Sequence, residues 1–188
     1  LVFCLFLGIP AAFAHSIKVG DVTLTPCVAQ YGGYCGSIVR PIDPQKRVAG
    51  TIAVGFEFYP RSDTAKPSLG TIVAQEGGPG YSTTDSRDGY VRLFTPLRVR
   101  RDILLIDKRG TGLSGAIDCP ALQKRRSLDA VRACGRQLGK TAWLYGSNYA
   151  ADDVAAVLAA LKTGPVDYYC DSYGTFFGQV FATRDPEL

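Results

Sequence analysis

The chain has 188 residues, enough for one domain with a hydrophobic core, and its composition is that of an ordinary globular protein. Lysine and arginine exceed aspartate and glutamate by only 21 to 17. The basic runs at 98–101 and 124–126 are short and are not interleaved with aromatic residues. They favour a solvated surface over a nucleic-acid interface.

The first fourteen residues carry no charge and end in Ala12-Phe13-Ala14, a small-x-small site of the kind that signal peptidase cleaves. The charged n-region and an initiator methionine are missing, so residues 1–14 are predicted to be the truncated rear of a secretory signal peptide. A buried N-terminal element is the alternative. The run is short for a membrane span, and no later run is long enough. We therefore expect a secreted or cell-envelope protein without stable membrane insertion after signal removal.

The cysteine spacing agrees with export. Cys27 and Cys35 form one locally spaced pair, and Cys119 and Cys134 form another. Each pair could close a disulfide in an oxidising compartment, with free buried thiols as the alternative. Cys170 has no such neighbour and is expected to be a small buried apolar residue. A metal site is not indicated, because the chain has one histidine and no C-x-x-C motif.

Apolar patterning predicts an α/β fold. Strands are predicted within residues 22–24, 52–58, 69–74, 102–106 and 166–169. Apolar residues at helical spacing over 154–161 predict a helix with Asp152 and Asp153 in its first turn, and a second helix is predicted after Ser172. Apolar runs that end in Gly-rich turns are typical of parallel central strands. The order of elements predicts a mostly parallel sheet flanked by helices, with residues 15–188 as the N-terminal part of one domain.

The segment Val166–Thr175 carries the clearest chemical signal. A predicted strand leads directly into Ser172, and a helix-compatible run follows at once. This strand–turn–helix context is that of the nucleophile elbow, which exposes a serine on a sharp turn. The one histidine, His15, lies at the other end of the chain, so the base that such a serine needs is not supplied by the later residues.

A glycine run, Gly77-Gly78-Pro79-Gly80, follows the predicted strand at 69–74. Glycine lets the backbone adopt conformations that bring N–H groups close to a substrate carbonyl. The N–H of Tyr173, on the first turn after Ser172, would supply a second donor for an oxyanion hole. An ordinary tight turn is the alternative for the glycine run taken alone.

Together these motifs resemble the α/β-hydrolase group of prolyl and tripeptidyl aminopeptidases. The resemblance is carried by 77–80, 107–114 and 171–175, and by the early cysteine pair followed by 39–43. It extends from about residue 25 to the end. It implies a serine peptidase that releases short peptides or single residues, often proline-related, from peptide N-termini.

The resemblance also implies roles for particular residues. Ser172 would be the nucleophile, and Gly78 and Tyr173 would donate backbone N–H groups to the oxyanion. Asp107 and Arg109 would support the loop beneath the site without taking part in the chemistry. No cofactor is implied, because acyl transfer by a catalytic triad needs none.

In that group the acid and the base follow the serine in the chain. Both, and a cap domain that reads the amino terminus of the substrate, are therefore expected beyond Leu188, and residues 1–188 are expected to be an N-terminal fragment with negligible activity alone. Two positions differ from the pattern. Cys170 stands where the elbow normally has glycine, and Glu76 precedes the glycine run where prolyl aminopeptidases usually have histidine. The second difference favours the tripeptidyl side.

Two other functions remain open. One is an esterase or lipase on the same fold, since the elbow serves acyl transfer to water in both cases. The other is a non-catalytic secreted protein or pseudoenzyme that uses the fold for binding. The expected substrate of the leading hypothesis is a peptide.

Overall fold

The computed structural model describes residues 15–187, which form a seven-stranded sheet and five α-helices. The strands are β1 (Ile17–Val19), β2 (Val22–Val28), β3 (Gly33–Pro41), β4 (Thr51–Tyr59), β5 (Thr71–Gln75), β6 (Asp102–Ile106) and β7 (Val166–Cys170). The helices are α1 (Arg87–Phe94), α2 (Pro120–Lys124), α3 (Leu128–Leu138), α4 (Ser147–Leu161) and α5 (Tyr173–Arg184). The predicted signal peptide, residues 1–14, lies outside the described residues.

The sheet is mixed, with strand order β1-β2-β3-β4-β6-β5-β7. Strand β5 lies between β6 and β7 and runs parallel to both, so Val73 is paired with Leu104 on one side and with Tyr168 on the other. The other pairings between the described strands are antiparallel. The predicted α/β-hydrolase fold class is confirmed, but the described sheet is mixed and not mostly parallel, because β1–β4 pair as antiparallel neighbours. Its parallel part is the set of three strands whose ends carry the motifs.

Strands β5 and β6 are buried on both faces. Their side chains alternate between two cores, as the period of a strand requires. One core lies against α4 and α5 and includes Val73, Leu104 and Ile106. The other lies against α1 and includes Ile72, Ala74, Ile103 and Leu105. This double burial explains why both segments read as continuous apolar runs.

Strand β7 is the edge of the described sheet, and its side chains alternate between half-buried and exposed. Tyr169 is 38% exposed although its ring packs edge-on against Tyr90 and Phe94 of α1. On the other face, Tyr168 stacks on Phe181 of α5, so the strand packs through both faces while its outer edge is unpaired within residues 15–187.

Helix α4 begins at Ser147, five residues before Asp152. The prediction that Asp152 and Asp153 occupy its first turn was therefore wrong. The buried residues Tyr149, Ala150 and Ala151 extend the apolar face toward the N-terminus, so the helix starts after Gly146 rather than at the acidic pair. Asp153 is buried and forms an ion pair with Arg109 instead of interacting with a helix end.

Both candidate cysteine pairs are disulfides, Cys27–Cys35 between β2 and β3 and Cys119–Cys134 between the start of α2 and α3. Cys170 is a free thiol, and burial raises its pKa to about 11. Among the residues that the structure describes, no helix has the length and apolar character needed to cross a membrane.

Candidate active site

Ser172 stands on a sharp turn between β7 and α5. Strand β7 ends at Cys170 and α5 begins at Tyr173, so Asp171 and Ser172 make the whole connection. Ser172 has φ 46° and ψ −127°, a backbone conformation that is disfavoured for any residue with a side chain. Such strain costs about 1–3 kcal/mol and concentrates at functional sites. The side chain of this strained serine is exposed, as a nucleophile must be.

Two glycines of α5 let the turn form. A Cβ at position 174 would lie 2.5 Å from the carbonyl oxygen of Gln75, so only glycine lets the first turn of α5 approach the end of β5 this closely. A Cβ at position 178 would lie 2.7 Å from the Sγ of Cys170. The thiol thus uses space that Gly178 leaves open, and this contact accommodates a cysteine at the position where the elbow motif has glycine.

The glycine run lies directly against the elbow. A Cβ on the buried Gly77 would lie 2.6 Å from the Cβ of Ser172 and 3.2 Å from the backbone nitrogen of Tyr173. Gly78 is exposed, has φ +109° and precedes Pro79 through a cis peptide bond. The structure therefore brings the glycine run and the elbow together. The roles of Gly78 and Tyr173 as oxyanion donors remain predictions.

Asp107 ties the loops around the site to the end of β6. Its buried carboxylate accepts hydrogen bonds from the hydroxyl of Ser82, from the backbone and hydroxyl of Thr84, and from the backbone of Leu113, at 2.7–3.0 Å. One carboxylate thus fixes the loop after the glycine run and the loop after β6. Only glycine fits at position 112, because a Cβ there would overlap the carboxylate of Asp107.

Arg109 stabilises the fold below the site. Its buried guanidinium donates two hydrogen bonds to Asp153 of α4, at 2.7 and 2.9 Å, and one each to the carbonyls of Ile42 and Leu144. The residue joins three separate segments and does not reach the elbow through any of these bonds. This arrangement agrees with the supporting role expected for it.

Sequence reasoning assigned no role to the polar groups that lie beside the elbow. Lys108 is buried after β6 and donates from Nζ to the carbonyl oxygen of Glu76 at 2.8 Å. Its burial lowers the pKa of the ammonium to about 8. The Oε1 atom of Glu76 accepts a hydrogen bond from the N–H of Gly77 at 2.8 Å, and Asp171 accepts one from the hydroxyl of Tyr90. Glu76, Tyr90 and Asp171 line a pocket of about 330 Å³.

This geometry defines the class of protein: the chain has the α/β-hydrolase fold, with a serine on the strand-to-helix turn. No protein-family model matches the sequence. Among curated proteins it is similar to the serine protease Hip1 of Mycobacterium tuberculosis and Mycobacterium bovis. The identity is 27% over 203 aligned positions, covering 90% of this chain and 38% of theirs. The chain thus spans about two fifths of the length of these relatives.

Solved structures show the same fold. A proline iminopeptidase from Mycobacterium smegmatis aligns with a TM-score of 0.51 and 19% identity, over 81% of this chain and 40% of that one. The Mycobacterium tuberculosis protein Rv0554 aligns with a TM-score of 0.51 and 17% identity, over 81% and 42%. The resemblance to α/β-hydrolase serine peptidases, recognised from the motifs, is confirmed by these comparisons.

Proposed function

We propose that the chain belongs to a secreted serine hydrolase, an aminopeptidase that releases short peptides or single residues through an acyl-enzyme on Ser172. The observation that carries the proposal is the backbone of Ser172, which is strained, exposed and placed at the end of β7. The likeness to a serine protease supports the peptidase reaction, and the two disulfides support an oxidising, extracytoplasmic location. The proposed substrate is a peptide with a free amino terminus.

The proposed mechanism is acyl transfer through a serine nucleophile. A histidine from the remainder of the protein would take the proton of the Ser172 hydroxyl as the oxygen attacks the substrate carbonyl. The backbone N–H groups of Gly78 and Tyr173 would stabilise the oxyanion, and loss of one such donor typically lowers kcat by about 10²–10³-fold. Water would then release the acyl group. Without its base, residues 1–188 alone would turn over negligibly.

The first experiment is covalent labelling of the full-length protein with a fluorophosphonate probe. We expect one labelled serine, Ser172, found by mass spectrometry of the tryptic peptides. Ser172→Ala should abolish the label, and Ser37→Ala, a change at an exposed serine of β3, should retain it. Labelling that persists in Ser172→Ala would refute the assignment.

The second experiment separates a peptidase from an esterase on the same fold. Tripeptide and aminoacyl anilides with free amino termini are compared with their N-acetylated forms and with a short acyl nitrophenyl ester. An aminopeptidase should hydrolyse the free forms at least tenfold faster than the acetylated forms. Hydrolysis of the ester alone would favour the esterase, and no hydrolysis of any substrate would favour a binding protein.

A further inference from the structure

Three adjacent strand ends place charged groups in a row beside the elbow. Because β5 lies between β6 and β7, Glu76 at the end of β5 is flanked by Lys108 after β6 and by Asp171 after β7. Glu76 directly precedes Gly77, and Asp171 directly precedes Ser172. Any bond between these two carboxyl groups therefore joins the glycine run to the nucleophile.

Both carboxyl groups line the same pocket beside Tyr90, at adjacent strand ends, and they interact with each other there. Two ionised carboxylates cannot bond, because both are acceptors only. A single proton between them makes one the donor and the other the acceptor. The contact thus requires one neutral carboxyl group.

The surrounding groups indicate which carboxyl group carries the proton. The Oδ1 atom of Asp171 is buried and lacks a hydrogen-bond partner among the described residues, while Oδ2 accepts from Tyr90. A proton on Asp171 would satisfy that buried atom. Burial and the nearby Glu76 raise the pKa of Asp171.

Glu76 is the better acceptor of the pair. Burial alone would raise the pKa of Glu76, but hydrogen bonds from the Ser86 hydroxyl, from the N–H of Gly77 and from Asp171 lower it overall. Its environment therefore favours the ionised form, in contrast to that of Asp171.

Charge balance gives the same answer. The ionisable groups that interact with the pair are Tyr90 of α1, Lys108 after β6 and Cys170 of β7. Lys108 supplies one positive charge, and it also interacts with the carboxylate of Asp107. One ammonium can balance one carboxylate of the pair but not two.

We propose that Glu76 and Asp171 share one proton, and that this carboxyl–carboxylate hydrogen bond is a positioning device that holds the nucleophile elbow against the glycine loop. The two residues are positioning residues, since neither is required to touch the substrate. The meaning of this geometry for catalysis rests on the proposed function, but the shared proton does not.

The sign of the pH dependence follows from the raised pKa of Asp171. Below that pKa the shared proton links the loop and the elbow. As the pH rises through it, the proton is lost and two carboxylates repel each other. The link is therefore strongest in mildly acidic solution and weakens toward alkaline pH.

The direct test is an infrared titration of the full-length protein, which follows the C=O band of neutral carboxyl groups. In the wild type, one band should disappear with a midpoint above the ordinary aspartate value of about 3.9. Asp171→Asn and Glu76→Gln should each remove that band. Asp129→Asn, at an exposed position on α3, should keep it. A band unchanged in both Asp171→Asn and Glu76→Gln, or none titrating above the ordinary range, would overturn the proposal.

The functional test uses Glu76→Gln, whose amide can donate to an ionised Asp171 without a shared proton. The rate of fluorophosphonate labelling is measured against pH for this variant and for the wild type. The labelling rate of Glu76→Gln divided by that of the wild type cancels the titration of the catalytic base. This ratio should rise severalfold as the pH rises through the infrared midpoint. A ratio that stays constant with pH would refute the positioning role. If Ser172 takes no label in either protein, the proposed function fails while the infrared result still decides the shared proton.

Discussion

The buried ion pair between Arg109 and Asp153 permits a quantitative test of what stabilises the site from below. Replacing Arg109 by methionine keeps an unbranched apolar side chain but removes the two bonds to Asp153 and those to the carbonyls of Ile42 and Leu144. Asp153 is then left buried, with Arg40 at 3.6 Å as its remaining ion-pair partner. Because this change leaves a buried carboxylate with only the more distant Arg40 to compensate its charge, the free energy of unfolding should fall by about 3–5 kcal/mol.

The assay is urea denaturation of the full-length protein, read by circular dichroism. The matched control is Arg132→Met, which removes an exposed arginine paired with Asp129 on α3 and should cost at most about 1 kcal/mol. The double variant Arg109→Met/Asp153→Leu should be more stable than Arg109→Met, because no buried carboxylate remains and the side chain of Arg40, which loses its partner, is 30% exposed to water. If Arg109→Met costs no more than Arg132→Met, the buried pair does not stabilise the fold as argued.

Three further variants probe the elbow and its surroundings. Gly77→Ala should lower fluorophosphonate labelling of Ser172 at least tenfold, since its Cβ would lie 2.6 Å from that of the serine; unchanged labelling would contradict the close approach. Gly178→Ala should destabilise the protein by about 1–3 kcal/mol through a clash with the thiol of Cys170, and adding Cys170→Gly should recover most of the loss in denaturation experiments, whereas additive losses would disprove the contact. Cys119→Ser opens a disulfide that closes a 15-residue separation and should cost about 3 kcal/mol, measured as above, with a loss below 1 kcal/mol as the contrary result.

The sequence predicts the parallel half of the sheet well because its strands are buried on both faces. Strands β5 and β6 lie within or close to the predicted 69–74 and 102–106, and each is fully buried. The N-terminal strands are harder to predict from sequence. Strand β2 contains Pro26, and the nine-residue β3 begins with Gly33 and then alternates mainly between half-buried and exposed side chains. Their stability comes from pairing with neighbours rather than from a local apolar pattern.

The candidate site also has a part that the sequence predicts and a part that it does not. Ser172 and the glycine run are recognisable because their chemistry is encoded in contiguous residues. The contacts of Glu76 with Lys108 and Asp171 depend on the strand order β6-β5-β7, which places residues far apart in sequence at adjacent strand ends. The one local signal was the difference from the family pattern at position 76, where a carboxylate replaces the usual histidine.

The strain at Ser172 is small beside the packing that holds it. Phe177 of α5 is completely buried and Phe181 almost completely buried in the core shared with α4. Each side chain stabilises the fold by about 1.5–3 kcal/mol through its removal from water. The carbonyl of Ser172 also accepts two hydrogen bonds from Thr175, at 2.7 and 3.1 Å, which secure the first turn of the helix. Together these interactions exceed the roughly 1–3 kcal/mol that the unfavourable backbone conformation costs. The exposed hydroxyl is therefore held by buried neighbours on the far side of the turn, and its orientation depends on how closely α5 packs against β5.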